Sequence, residues 1–119
     1  MRILITLALI LFSAPAMACG GKDDACKVPL GSYFAVEPAV EANKRLAVLF
    51  FHGGGGFGSR IFTMRKWMTE AFTDRGYVVI GMNGSKRPGS KWGPGWAFIP
   101  QFPPHRDEVA YTGRESGCA

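Results

Sequence analysis

Two stretches of the chain are apolar over six consecutive residues, Leu46–Phe51 (LAVLFF) and Tyr77–Met82 (YVVIGM). Short runs of this kind, rich in bulky side chains and bounded by turn residues, suit strands buried on both faces of a parallel sheet. Between them Ile61, Met64, Met68, Ala71, Phe72 and Arg75 fall at three- and four-residue steps, the spacing of one helix face. Ser59 is placed to cap that helix and Gly76 to stop it in the left-handed conformation. Strand, helix and strand in this order predict a βαβ unit with a right-handed crossover. Upstream, residues 32–37 have strand composition and end at Pro38, and residues 39–45 read as a polar turn.

The N-terminus has a different pattern. Arg2 precedes an apolar run over residues 3–12, and Ala16 and Ala18 then occupy the small-residue positions of a cleavage site. This layout predicts a secretory signal over residues 1–18 and a secreted or periplasmic product. The run is too short for a membrane span, which takes about 20 apolar residues. Cys19 follows the cut, but Ala16 stands where lipoprotein signals usually carry leucine, so lipid anchoring is the weaker reading. An oxidising compartment would let Cys19 and Cys26 pair, worth about 2–3 kcal/mol for so short a loop. The rival, a metal pair, lacks a nearby histidine or third cysteine. Cys118 is left over.

Composition narrows the class. At 119 residues the chain is one domain or a piece of one, and 47% hydrophobic with 19% charged residues is a folding composition. The net charge of +5 falls to +4 once Arg2 is removed, too mild and too scattered to argue for nucleic acid.

Residues 83–106 hold four glycines, five prolines and two tryptophans, and cannot form regular structure. Trp92, Trp96, Phe98 and Phe102 have apolar area to bury, which argues against disorder. The segment is either an aromatic-lined binding loop or an ordered connection over the sheet edge. Asp107 and Glu108 then read as the acidic first turn of a helix that Gly113 interrupts.

The candidate chemistry lies in Phe51-His52-Gly53-Gly54-Gly55-Gly56-Phe57-Gly58. Gly53-x-Gly55-x-x-Gly58 matches a dinucleotide fingerprint, yet Gly81-Met82-Asn83 supplies no acidic residue where a ribose would need one. The same residues match the His-Gly-Gly-Gly turn of esterases. There a side-chain-free backbone lets an N–H point at the oxyanion of a tetrahedral intermediate.

From Cys19 to about Thr112 the chain resembles the exported esterases of the polyhydroxybutyrate depolymerase and feruloyl esterase group. The cysteine pair, the Gly-x-Tyr strand, His52-Gly53-Gly54-Gly55 and Met82-Asn83-Gly84 carry the likeness. So do Arg87-Pro88-Gly89-Ser90, Gly93-x-Gly95-Trp96 and Arg106-Asp107-Glu108. The resemblance implies the N-terminal part of an α/β-hydrolase fold over residues 19–112, a βαβ unit in a mostly parallel sheet. It implies carboxylic ester hydrolysis by a Ser-His-Asp triad, with no metal or diffusible cofactor. Gly54 and Gly55 become the expected oxyanion donors, His52 and Gly53 the residues that shape the turn, and Trp92, Trp96 and Phe98 the expected substrate contacts.

The triad itself is not found. None of Ser13, Ser32, Ser59, Ser85, Ser90 and Ser116 has glycine two before and two after it, so Gly-x-Ser-x-Gly is missing. Neither His52 nor His105 can be carried over as the base, and Asp107 reads better as a helix-start carboxylate. The expectation is a chain truncated before the nucleophile elbow, with residues 113–119 an aberrant tail, and inactive as it stands. The competing function is a small exported binding module that uses loop 83–106 without catalysis; a nucleotide-binding oxidoreductase ranks third.

Overall fold

Tyr77–Met82 is apolar from end to end and takes the most covered place in the fold. The structure is a computed structural model describing residues 20–97 and 100–116. The signal-like segment, Cys19, Phe98 and Cys118 lie outside the described residues. In chain order the elements are β1 (Gly21–Val28), β2 (Gly31–Val36), β3 (Leu46–Phe51), α1 (Arg60–Met64), α2 (Lys66–Thr73), β4 (Tyr77–Met82) and α3 (Glu108–Ser116). No described helix is long and apolar enough to cross a membrane.

The four strands form one sheet in the order β1-β2-β4-β3. β3 and β4 run parallel and in register from Leu46 opposite Tyr77 to Phe51 opposite Met82, joined through α1 and α2. The other two pairings are antiparallel: β1 with β2, and β2 with β4. The expected α/β-hydrolase sheet, mostly parallel, is therefore overturned; the chain forms a small mixed sheet, mostly antiparallel, with few helices. The reason lies in β1. Its sequence GKDDACKV is polar and reads as a loop between cysteines, but it folds back on β2 with an irregularity between Gly21 and Cys26. Cys26 is buried there and is not a free thiol.

Burial follows position in the sheet. Val79 and Met82 of the internal strand β4 are fully covered, whereas β3 lies at an edge with Leu46 51% and Phe51 46% exposed. The period-two alternation of β4 divides the core into two layers. Ile80 and Met82 pack with Trp96 and Tyr111 on one face, and Val79 packs with Ile61 and Phe62 on the other.

The single helix expected over 60–75 is broken at Arg65, whose backbone (φ −125°, ψ 39°) leaves the helical region. Met64, the last residue of α1, is 70% exposed, and Phe62 takes a core place instead. The buried Thr69 hydroxyl donates to the Ile61 carbonyl at 3.1 Å and joins the two pieces. Ser59 precedes α1 but makes no capping bond. Gly76 adopts φ +84°, the left-handed stop. At the other end, α3 runs through Gly113 to Ser116 instead of stopping at the glycine.

The entry into α1 lies directly on the sheet. A Cβ at Gly58 would stand 2.2 Å from the Gly81 carbonyl oxygen of β4, and a Cβ at Gly81 equally close to that of Gly58. Both contacts are backbone, so nothing flexible can yield. Gly58→Ala is expected to lower the unfolding free energy by about 3 kcal/mol, the upper range for overpacking a core. Gly113→Ala, where a Cβ meets nothing, is expected to raise it by about 0.5–1 kcal/mol through helix propensity. Urea unfolding midpoints of the two variants should move in opposite directions.

Candidate functional site

β3 ends at Phe51, and the next residue turns the chain over the top of the sheet. His52 is buried, and both ring nitrogens have partners: Nδ1 lies 2.6 Å from the Gly53 carbonyl oxygen, and Nε2 accepts the Gly84 N–H at 2.9 Å. A carbonyl cannot donate and an amide cannot accept, so the proton sits on Nδ1. His52 thus pins the exit of β3 to the exit of β4. The Trp96 indole N–H donates to the His52 carbonyl at 2.8 Å, and its ring stands edge-on to Phe51 with centroids 5.0 Å apart. The Gly58 N–H donates to Asn83 Oδ1 at 2.8 Å and ties the far end of the glycine turn to the same strand end. Gly56 packs on His52, where a Cβ would meet the ring at 3.0 Å.

The two glycines expected as oxyanion donors differ. Gly55, at φ +72°, gives its N–H to the Pro94 carbonyl at 2.8 Å, and that of Gly56 goes to Gly53. The Gly54 N–H has no partner among the described residues. Gly53 and Gly54 are both exposed, and a Cβ at either would meet nothing. Gly54 and Gly55 form one wall of a cleft of about 850 Å³ whose other walls come from loop 83–106.

That loop is ordered by backbone pairing. Ser85 and Gly95 form an antiparallel bridge, with N–H···O distances of 2.9 and 3.1 Å in the two directions. A Cβ at Gly84 would stand 2.5 Å from the Gly95 carbonyl oxygen, so the two arms of the loop close backbone to backbone. The expected substrate contacts part company here. Both tryptophans line the cleft, but Trp96 is buried with its indole N–H engaged beneath the turn, whereas Trp92 is 85% exposed. Arg87 donates to the Pro103 carbonyl at 2.7 Å and lies over the Phe102 ring, 4.9 Å from its centroid. With Lys91 it makes the cleft cationic, and no carboxylate lines it among the described residues.

Two further residues meet on the same wall. Ser85 Oγ lies 2.8 Å from His105 Nε2, which also lies 3.3 Å from the Ser85 carbonyl oxygen. The opposite ring nitrogen, His105 Nδ1, is buried and has no hydrogen-bond partner. Leaving such a group unsatisfied costs about 1–3 kcal/mol. Sequence reasoning passes over this pair because a serine and a histidine twenty positions apart on an irregular loop carry no periodic or motif signal.

The loop is held down by Arg106. Its guanidinium meets Glu108 Oε2 at 2.6 Å, donates to the Asn83 carbonyl at 3.2 Å, and stacks on Tyr111 with 4.0 Å to the ring centroid. The ion pair is buried, with side chains 5% and 16% exposed. Glu108 in turn accepts the Ala97 N–H at 2.8 Å. Asp107, which the sequence reads as a helix-start carboxylate, accepts the Ala110 N–H at 2.9 Å from α3.

Comparison with known proteins adds no relative: no protein-family model, no curated protein and no solved structure matches the chain.

Removing one half of a buried ion pair strands the other charge. Arg106→Met is expected to destabilise the chain by about 3–5 kcal/mol, and adding Glu108→Leu to recover part of that loss. Urea unfolding of the single and double variants checks this. His52→Leu should leave the Gly84 N–H without its acceptor and cost about 1–3 kcal/mol. Faster hydrogen exchange at the Gly84 amide, beyond the shift common to neighbouring amides, is the specific readout.

Proposed function

We propose that this cleft is the acyl-binding part of an exported carboxylic ester hydrolase of the polyhydroxybutyrate depolymerase or feruloyl esterase kind. The observation that carries the reading is the Gly54 amide. Among the amides of Gly54, Gly55 and Gly56, it alone has no partner, and it belongs to the cleft wall. Ester cleavage places negative charge on the former carbonyl oxygen, and a preorganised, unused N–H is the group that stabilises it. Its neighbours supply the preorganisation. The Gly55 bond to Pro94 and the His52 bond to Gly84 fix the turn on both sides, so the amide need not reorganise when charge develops. Gly55 belongs in this reading as a clamp and not as a second donor. No metal or diffusible cofactor enters it.

The exposure of Trp92 favours a second reading, a binding module in which the cleft holds a ligand on that ring without chemistry. Titrating the 15N-labelled chain with an alkylphosphonate monoester, whose charged oxygens mimic the tetrahedral intermediate, separates the two. The ester hydrolase reading expects a saturable shift of the Gly54 amide, with the engaged amides of Gly55 and Gly58 moving less. A shift confined to the Trp92 indole would support the binding module, and a Gly54 amide that stays still at saturation overturns the oxyanion role.

A further inference from the structure

We propose that this cleft takes an acidic glycan, a chain of uronic acid sugars, with one sugar ring on Trp92 and its carboxylate against Lys91 and Arg87. The inference rests on the reading above for the place of the ester and adds the class of molecule that carries it. Charge is the first observation. Arg87 and Lys91 both line the cleft, and neither belongs to an ion pair among the described residues. Arg87 is half-buried and gives one N–H to the Pro103 carbonyl, which leaves the rest of its fork unused and its charge without a counter-ion. A carboxylate is the group that such a fork and a neighbouring ammonium recognise.

The second observation is the turn that presents these groups. Pro88 and Gly89 stand between Arg87 and Ser90, Gly89 at φ +73°, and the Ser90 N–H donates to the Arg87 carbonyl at 3.1 Å. Proline followed by a left-handed glycine is the chemistry of a type II turn. The Trp92 N–H then donates to Ser90 Oγ at 3.1 Å, so Lys91 and Trp92 sit side by side on a short segment whose backbone is already bonded. Gly93 follows at once and packs on the glycine turn, where its Cβ would meet the Gly55 Cα at 2.9 Å. The ring and the two cations are thus fixed beside the turn that carries the Gly54 amide, and a ligand need not order them on binding.

The third observation selects a sugar over other anions. Trp92 is 85% exposed and, among the described residues, pairs with no other ring. Phe102, the other exposed aromatic side chain in the cleft, has the Arg87 guanidinium over its face. A flat aromatic acid gains most between two open rings, and here one is open. A pyranose has one apolar C–H face and a polar rim, which suits a single ring set among donors. At about 850 Å³ the cleft has room for more than one such sugar. A nucleic acid fits less well, since the net charge of +5 is mild and scattered along the chain.

The test is to titrate the 15N-labelled full chain with tri-galacturonate, with the same trimer fully methyl-esterified, with phenylacetate and with inorganic phosphate. The expected result is a saturable shift of the Trp92 indole N–H by tri-galacturonate that added salt weakens. The methyl-esterified trimer should bind about tenfold more weakly, the scale of one hydrogen bond to a charged group. Lys91→Glu should weaken tri-galacturonate by about tenfold or more while Lys91→Arg keeps it. Trp92→Ala should weaken it by about tenfold, as for an exposed aromatic anchor. Both side chains are exposed, so melting of these variants should match the wild type. A Trp92 indole that tri-galacturonate leaves still overturns the site. Equal binding of the methyl-esterified trimer, or indifference to Lys91→Glu, overturns the part played by charge. Phenylacetate or phosphate binding as tightly as the trimer overturns the sugar. If tri-galacturonate fails while the alkylphosphonate still shifts the Gly54 amide, only the glycan assignment falls. If tri-galacturonate binds while that amide stays still, only the oxyanion reading falls.

Discussion

The buried contact between Arg106 and Glu108 is the constraint on which the cleft depends. A guanidinium and a carboxylate removed from water are costly unless each hydrogen-bonding position is used, and here most of them are. Arg106 reaches Glu108, the Asn83 carbonyl beyond β4 and the Leu30 carbonyl before β2, and its flat face lies on Tyr111. Glu108 turns its other oxygen to the Ala97 amide. One ion pair thus joins the β1–β2 turn, the exit of β4, the returning arm of the loop and the start of α3. The planar fork of arginine suits this work, since it can bond in plane and stack out of plane at once. Gly31 belongs to the same arrangement: a Cβ there would stand 2.8 Å from the guanidinium and 3.0 Å from the Tyr111 ring.

From that anchor the rest of the site follows by close backbone approach. Tyr111 is held by its hydroxyl, which donates to the Ser32 carbonyl, and by its place in the core under Met82 and Trp96. Trp96 then sits beneath the glycine turn and bonds the His52 carbonyl, while Gly95 pairs with Ser85. A Cβ at Gly93 would come within 2.9 Å of the Gly55 Cα. The loop and the turn are therefore in contact through glycines on both sides, and large side chains, Trp92 and Phe102 among them, line the cleft beside this close backbone contact.

How much of this the sequence discloses depends on whether the signal is local. The spans of β3 and β4, the left-handed Gly76 and the Asp107 helix start are written in short-range patterns and recur in the structure, but β3, read as a strand buried on both faces, lies at the sheet edge with none of its residues buried. What the patterns leave open is decided by partners far away in the chain. β1 is polar and becomes a strand only because β2 offers it an edge; the antiparallel pairing of β2 with β4 has no trace in either strand's composition. The Arg65 break is invisible to a spacing count, which treats 60–75 as one helix. At the site, the glycine turn is legible as a motif, yet which amide stays unused depends on Pro94, thirty-nine positions on from Gly55. The two tryptophans are alike in sequence and opposite in structure, because only Trp96 finds an acceptor for its indole N–H in a covered place.

The two histidines differ in how completely the fold uses their ring nitrogens. His52 has a partner on each nitrogen, is buried, and holds the turn through both bonds in a single tautomer. It has the profile of a structural residue, although it stands inside the motif. His105 lies outside every motif and lines the cleft with Nε2 against both the hydroxyl and the carbonyl oxygen of Ser85 and with Nδ1 on nothing. Native chains leave few buried polar atoms without partners, and among the described residues this is the side-chain atom left so. The one cleft thus gathers an imidazole that the fold leaves half-satisfied and a backbone amide that it leaves unused, so local rules of satisfaction give way there while the ion pair and the core around it are held to them.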